Sequence, residues 1–173
     1  MGGMRELEKT FLAKYLPDLQ GSKSREVIDI YLPKSSEHPK LRIRKNGESF
    51  EITKKTRSES DPAMANEETI EITEEEFEPL SGMDGKMLHK TRYFYDSDGT
   101  EAQIGVFQEG LSGLVLIDFE FADEAAMNAF KAPDFCLRDV TDERFLAGSL
   151  LCGKSYADIE DRLNALGYIR LKL

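Results

Sequence analysis

Cysteine and histidine are scarce in this sequence, with two of each among 173 residues. Cys136 and Cys152 match no metal-ligand spacing and lie in apolar contexts, which excludes a disulfide framework and predicts a reduced, buried pair. His38 sits beside Pro39 at a turn, and His89 falls out of phase with its neighbours Lys90 and Arg92, so neither is placed as a general base. No apolar run approaches the roughly 20 residues that span a bilayer. No secretory pattern precedes Arg5, and "MGGMRE" has Glu6 where a myristoylation signal needs Ser or Thr. A cytoplasmic chain with no membrane partner is expected. Positive charge is also in deficit, 23 Lys and Arg against 33 Asp and Glu for a net charge of −10, which argues against a nucleic-acid partner. There is no internal repeat and no low-complexity tract.

What is present is a strand-rich pattern. Hydrophobic residues make up 40% and charged residues 32%, enough to bury a core in one domain over 1–173. Eight segments read as strands: "MRELEKTFL", "REVIDIYL", "KLRIRKN", "SFEITKKT", "EETIEIT", "MLHKTRYFY", "EAQIGVF" and "LVLIDFEF". Turn signals around Gly47, Gly99 and Glu109–Gly113 separate several of them. Thr56–Asn66 reads as a polar loop. Thr73 caps a short helix with Glu76 at the capping-box position. After Phe121 the pattern turns helical, with a segment capped by Asp123 and stopped by Pro133, then "TDERFLAGSLL". A last helix starts at Ser155 and ends at Gly167, with Tyr156, Ile159, Leu163 and Leu166 on its apolar face. Strands followed by helices without a linker predict an α+β fold. Eight strands also suffice to close a small barrel and hide its edges.

The charged residues are sorted by sign along these strands. Arg42 and Arg44 share one face, Lys90 and Arg92 another, and Lys54 lies with Phe50 and Ile52. Glu6, Glu8 and Thr10 line one face of the first strand. Glu67, Thr69 and Glu71 align, as do Asp118 and Glu120. An ordinary antiparallel sheet with one wet face would account for the alternation. Paired cations in an acidic chain point instead to an anion between them, because like charges side by side repel. Arginine forks and lysine ammoniums suit phosphate oxygens, and carboxylates suit Mg²⁺ or Mn²⁺.

Five motifs in order resemble the CYTH domain, or triphosphate tunnel metalloenzyme, superfamily. "ELE" followed by Phe11 resembles its E-x-E-x-K signature, "LRIRKNGESFEITKK" its V-R-V-R…T-I-K segment, and "HKTRYFY" its E-K-T-R-Y segment. "GLSGLVLIDFEF" and "LRDVTDERFLAGSLL" resemble its G-L-V-L-A-E-I-E-L strand and R-E-V-T-G-D-x-R-Y segment. The resemblance implies an eight-stranded antiparallel β-barrel forming a charged tunnel, with helices packed outside. It implies a metal side of Glu6, Glu8, Asp118 and Glu120. Arg42, Arg44, Lys54, Lys90, Arg92 and Arg144 would bind substrate, with Glu67 and Glu71 fixing those cations. Glu6, Glu8, Lys54 and Arg92 are the catalytic candidates. The expected activity is hydrolysis of inorganic triphosphate or a small organic triphosphate with Mg²⁺ or Mn²⁺. A class IV adenylate cyclase and a polyphosphate- or nucleotide-binding module without turnover are the alternatives. A homodimer is compatible with each. Three departures stand out: Thr10 occupies the signature lysine's position, since Lys9 lies on the other strand face unless a bulge turns it; Thr69 replaces an acid; and Gln103 and Gly105 stand where many members carry acids.

Overall fold

Period-two alternation of apolar and polar side chains builds this fold strand by strand. The computed structural model of the chain describes residues 7–57 and 65–173. Glu6, the "MGGMRE" opening and most of the Thr56–Asn66 loop lie outside the described residues. All eight expected strands form: β1 (Leu7–Ala13), β2 (Lys23–Leu32), β3 (Leu41–Asn46), β4 (Ser49–Arg57), β5 (Ala65–Ile72), β6 (Lys86–Ser97), β7 (Thr100–Phe107) and β8 (Val115–Phe121). A ninth, β9 (Cys136–Asp139), lies between the helical segments expected after Phe121, in a stretch where no strand is expected. Only pairing makes it a strand: its four residues align antiparallel with Phe11–Ala13 of β1, across a register shift between Leu12 and Ala13. The sheet therefore has nine strands, ordered β5-β4-β3-β2-β6-β7-β8-β1-β9.

Helices are few and short. α1 (Glu74–Ser81) starts at Thr73, whose hydroxyl accepts from the Glu76 amide while the Glu76 carboxylate accepts from the Thr73 amide. Both halves of the expected capping box are present. α2 (Glu124–Ala129) is capped by Asp123, which accepts from the Ala126 amide. The "TDERFLAGSLL" stretch yields a 3-10 turn at Arg144–Leu146 and α3 (Gly148–Leu151). The last helix is split into a 3-10 turn at Tyr156–Asp158 and α4 (Glu160–Ala165), with Tyr156, Ile159 and Leu163 buried as the spacing predicts. Among the described residues no helix is long and apolar enough to cross a membrane.

The chain packs as two units. The first comprises Glu26–His89 and Ala147–Gly153. Its core gathers Ile30, Leu32, Ile43 and Phe77, with Ile52, Ile72 and Phe50 against them. The Phe77 ring of α1 lies 4.9 Å from that of Phe50, so α1 covers the apolar face of β3 and β4 and leaves their charged face uncovered by it. The second unit comprises Lys90–Leu146, Lys154–Leu173 and the segment before Glu26. Its core is Phe11, Ala13, Ala102, Ile104, Val115, Ile117, Phe119 and Phe135. Phe130, just past α2, packs its ring on Phe119 and Phe121 at 4.6 and 5.1 Å. Each core takes one face of its strands, and polar side chains occupy the other.

Candidate functional site

The polar face of the first unit is assembled by cross-strand register, since residues directly opposite one another share a face. β2 and β3 pair Asp29 with Arg44 and Tyr31 with Arg42. β3 and β4 pair Arg44 with Glu51 and Arg42 with Thr53. β4 and β5 then pair Glu51 with Glu71, Thr53 with Thr69 and Lys55 with Glu67. The expected pair Arg42 and Arg44 thus stands on one face, bordered by Glu67 and Glu71.

These arginines are held closely. Asp29 accepts from Arg44 Nε and Nη2 at 2.5 and 2.7 Å, while Arg44 Nη1 lies 3.9 Å from Glu51. Arg42 Nη2 donates to Glu51 at 3.2 Å and to Thr53 Oγ1 at 3.1 Å, and lies 3.6 Å from Glu67. Its Nε is buried with no acceptor among the described residues. Burial pulls the Arg44 guanidinium down, but the hydrogen bond and charge of Asp29 outweigh it and the net shift is upward. Burial first, and then the Asp29 charge, push the Tyr31 phenol up to about 12. Both guanidiniums sit in a partly dry setting, with side chains 14% and 16% exposed, where an anion is bound more strongly than at an open surface.

Lys54 is not part of this face. It is exposed, opposite Leu41 and Glu68, on the side that carries Ile43 and Ile52. Period two forbids it from joining Arg42, because Thr53 already stands on that face and the next position to return there is Lys55. Lys55 Nζ lies 3.3 Å from Glu67, and Thr53-Lys54-Lys55 keeps the T-x-K spacing. Asp29, Tyr31, Glu51, Thr53 and Lys55 are residues of this face that the sequence reading missed. A charged residue at Asp29, alternating with Ile28 and Ile30 in an apolar strand, is the signal that could have found one of them.

The polar face of the second unit holds the other candidates. β6 and β7 pair Lys90 with Phe107, Arg92 with Gly105 and Phe94 with Gln103. β7 and β8 pair Gln103 with Asp118, and β8 and β1 pair Asp118 with Thr10 and Glu120 with Glu8. Lys90, Arg92, Gln103, Asp118, Glu120, Thr10 and Glu8 consequently share a face. The Thr10 hydroxyl donates to Asp118 Oδ1 at 2.8 Å, and Gln103 Nε2 donates to Glu120 Oε1 at 2.9 Å. Lys90 Nζ lies 5.3 Å from the centre of the Phe107 ring. Its side chain runs beside Gly105, where an added Cβ would meet Lys90 Cδ at 3.4 Å. The β1–β8 register is unbroken from Leu7 to Leu12 and pairs Lys9 with Phe119, so no bulge there turns Lys9 onto the Thr10 face. Arg144 is exposed in its 3-10 turn.

Glu8 and Glu120 stand directly opposite each other, with Asp118 on the same face, and such hard oxygens suit a divalent cation. Among the described residues no three His, Cys, Asp or Glu side chains are arranged to hold one, and Glu6 lies outside them. The histidines are elsewhere: His38 is exposed, and His89 Nε2 lies 3.2 Å from Glu26 Oε1. The cysteines form no disulfide; Cys152 is buried and its thiol donates to the Ser149 carbonyl at 3.2 Å, and burial pushes the half-buried Cys136 thiol up to about 12, which disfavours the reactive thiolate.

No family model matches the chain. Over 146 residues it is 32% identical to a protein named inorganic triphosphatase from Nitrosomonas europaea, covering 82% of this chain and 92% of the relative. A crystal structure of the inorganic triphosphatase NE1496 superposes with a TM-score of 0.67 at 26% identity, covering 89% of this chain and 98% of the other. A second crystal structure, described as the hypothetical protein NE1496, gives a TM-score of 0.68 at 29% identity over 87% and 99% of the two chains.

Proposed function

Because the chain belongs to the CYTH, or triphosphate tunnel metalloenzyme, superfamily, we propose that it hydrolyses inorganic triphosphate or a small organic triphosphate with a divalent cation. The observation that carries this reading is the likeness over most of its length to a protein named inorganic triphosphatase. Strand faces that gather Arg42 and Arg44, and Lys90 and Arg92, support it. The finer architecture implied by the family, a barrel closed around a tunnel with helices outside, belongs to the same proposal.

In this reaction water attacks the terminal phosphorus, the P–O anhydride bond breaks, and inorganic phosphate and pyrophosphate leave. The protein's share is positioning and charge neutralisation. Arg42 and Arg44 present guanidinium forks to phosphate oxygens, with Lys55 adding charge on the same face; Lys90 and Arg92 are cations of the same kind on the face of the second unit. Glu8 and Glu120, with Asp118 and Glu6, would hold Mg²⁺ or Mn²⁺, which would supply positive charge to the phosphates and make water a better nucleophile. Gln103 steadies the Glu120 carboxylate, and Thr10 does the same for Asp118.

Thr10 also favours a second reading, a triphosphate-binding module without turnover, because a neutral hydroxyl stands where the family signature has a cation. Phosphate release from inorganic triphosphate, ATP and thiamine triphosphate, each with Mg²⁺ and with Mn²⁺, separates the two. Release that requires the cation is expected. Undiminished release in excess chelator removes the metal from the proposal, and no release from any triphosphate leaves the binding module.

A further inference from the structure

Two side chains among the described residues are both polar or charged and buried: Asp29, 1% exposed, and Thr53, fully buried. Both lie on the arginine face of the first unit, and each touches one of its two arginines. Asp29 takes Arg44 through Nε and Nη2, and Thr53 takes Arg42 through Nη2. Burying a carboxylate or a hydroxyl is costly unless the group is hydrogen-bonded. An arginine–carboxylate pair is moreover often no more stable than the apolar residues that could replace it. Stability alone therefore gives a weak reason for this arrangement.

Orientation gives a better one. A guanidinium has a fixed planar fork, and gripping one edge determines where the other edge points. With Nε and Nη2 of Arg44 engaged by Asp29, Nη1 is the nitrogen left outside that grip, and Glu51 lies 3.9 Å from it, beyond hydrogen-bond length. Thr53 Oγ1 in turn stands 3.2 Å from Thr69 Oγ1 on β5, so the hydroxyl that receives Arg42 is itself fixed by the next strand. Tyr31 stands opposite Arg42 on the same face, and a Cβ on Gly148 would come within 2.6 Å of its hydroxyl, so α3 meets Tyr31 through a residue without a side chain.

We infer that Asp29 and Thr53 are positioning residues, a buried second layer that holds Arg44 and Arg42 in the orientation needed to receive a polyphosphate. The inference rests on the triphosphate reading above. The layer acts before substrate arrives: the side-chain freedom of both arginines is already lost in the fold, so less is lost on binding. Neither Asp29 nor Thr53 touches the anion.

The test measures the dissociation constant for inorganic triphosphate by calorimetry, together with KM and kcat, in the full chain. Thr53→Val keeps the shape and removes the hydroxyl, whereas Thr53→Ser keeps the hydroxyl. Thr53→Val is expected to weaken binding and raise KM about tenfold, near the worth of one hydrogen bond to a charged group, with Thr53→Ser close to the parent. Asp29→Asn is expected to have the larger effect, and to add nothing further to Arg44→Ala if it acts through Arg44. Unchanged binding in a folded Thr53→Val, an equal loss in Thr53→Ser, or full additivity of Asp29→Asn with Arg44→Ala would each overturn the inference. Should Asp29→Asn fail to fold, the valine–serine comparison decides alone. If the parent binds triphosphate without hydrolysing it, the enzyme reading fails and the binding data still judge the layer. If it does not bind, both fall.

Discussion

Replacing Lys54 and Lys55 one at a time separates two assignments that differ by a single strand position. Lys55 shares the face of Arg42 and Arg44 and pairs with Glu67 at 3.3 Å, with its side chain about half exposed. An exposed pair of this kind contributes about 0–1 kcal/mol, so Lys55→Ala should leave the melting temperature within a few degrees of the parent. Loss of a charged hydrogen bond to a phosphate oxygen is larger, about 1.5–3 kcal/mol. At a factor of ten per 1.36 kcal/mol, kcat/KM should fall roughly ten- to a hundredfold. The freed Glu67 carboxylate, already 3.6 Å from Arg42, would deepen the loss by competing with substrate for that guanidinium. Lys54→Ala removes an exposed side chain on the opposite face and should change stability by under about 0.5 kcal/mol and kcat/KM hardly at all. Initial rates of phosphate release over a range of triphosphate concentrations, with a thermal scan of each variant, make the comparison. A crippled Lys54→Ala beside a normal Lys55→Ala would refute the register on which the whole first face is built.

Thr10→Lys restores a cation beside Asp118 and should speed phosphate release about ten- to a hundredfold if a transition-state contact worth roughly 1.5–3 kcal/mol is recovered; a rate at or below the parent's would show that Thr10 is not the deficit. Lys9→Ala, on the Phe119 side of β1, should leave kcat near the parent's, and a large loss would contradict the register with β8. Glu120→Gln should raise the Mg²⁺ or Mn²⁺ concentration for half-maximal activity at least about tenfold, as one charged ligand contact is worth; an unchanged metal titration would take Glu120 out of the metal side. Tyr168→Phe tests the second core: its buried hydroxyl donates to the Gly113 carbonyl at 2.7 Å and accepts from the Val115 amide at 2.9 Å. The Gly113 carbonyl keeps the Leu171 amide at 3.1 Å, so the change strands the Val115 amide and should cost about 1–3 kcal/mol, lowering the melting temperature by roughly 2–12 °C; a shift of about 1 °C or less would refute that accounting.

Much of this protein is local. Eight strands follow from alternation alone, and the caps at Thr73 and Asp123 follow from side chains that reach backbone amides three residues on. That Arg42 and Arg44 share a face, and that Thr10 lies with Glu8 rather than with Lys9, is likewise a property of any extended backbone, whatever it pairs with. Those features, and the ordered motifs around them, are what the sequence by itself determined. Which face of each strand meets the charged face of the next is a different kind of fact. "FEITKK" offers Phe50, Ile52 and Lys54 on one side and Glu51, Thr53 and Lys55 on the other, with a lysine at the end of each. Only the pairing of Thr53 with Arg42 assigns Lys55 to the arginines and Lys54 to solvent. The burial of Asp29 against Arg44 and the existence of β9 against β1 were decided in the same way, by pairing with another strand. Alternation supplies each strand with two faces, but a one-residue change of register exchanges them, and register is set by backbone hydrogen bonds and core packing between strands.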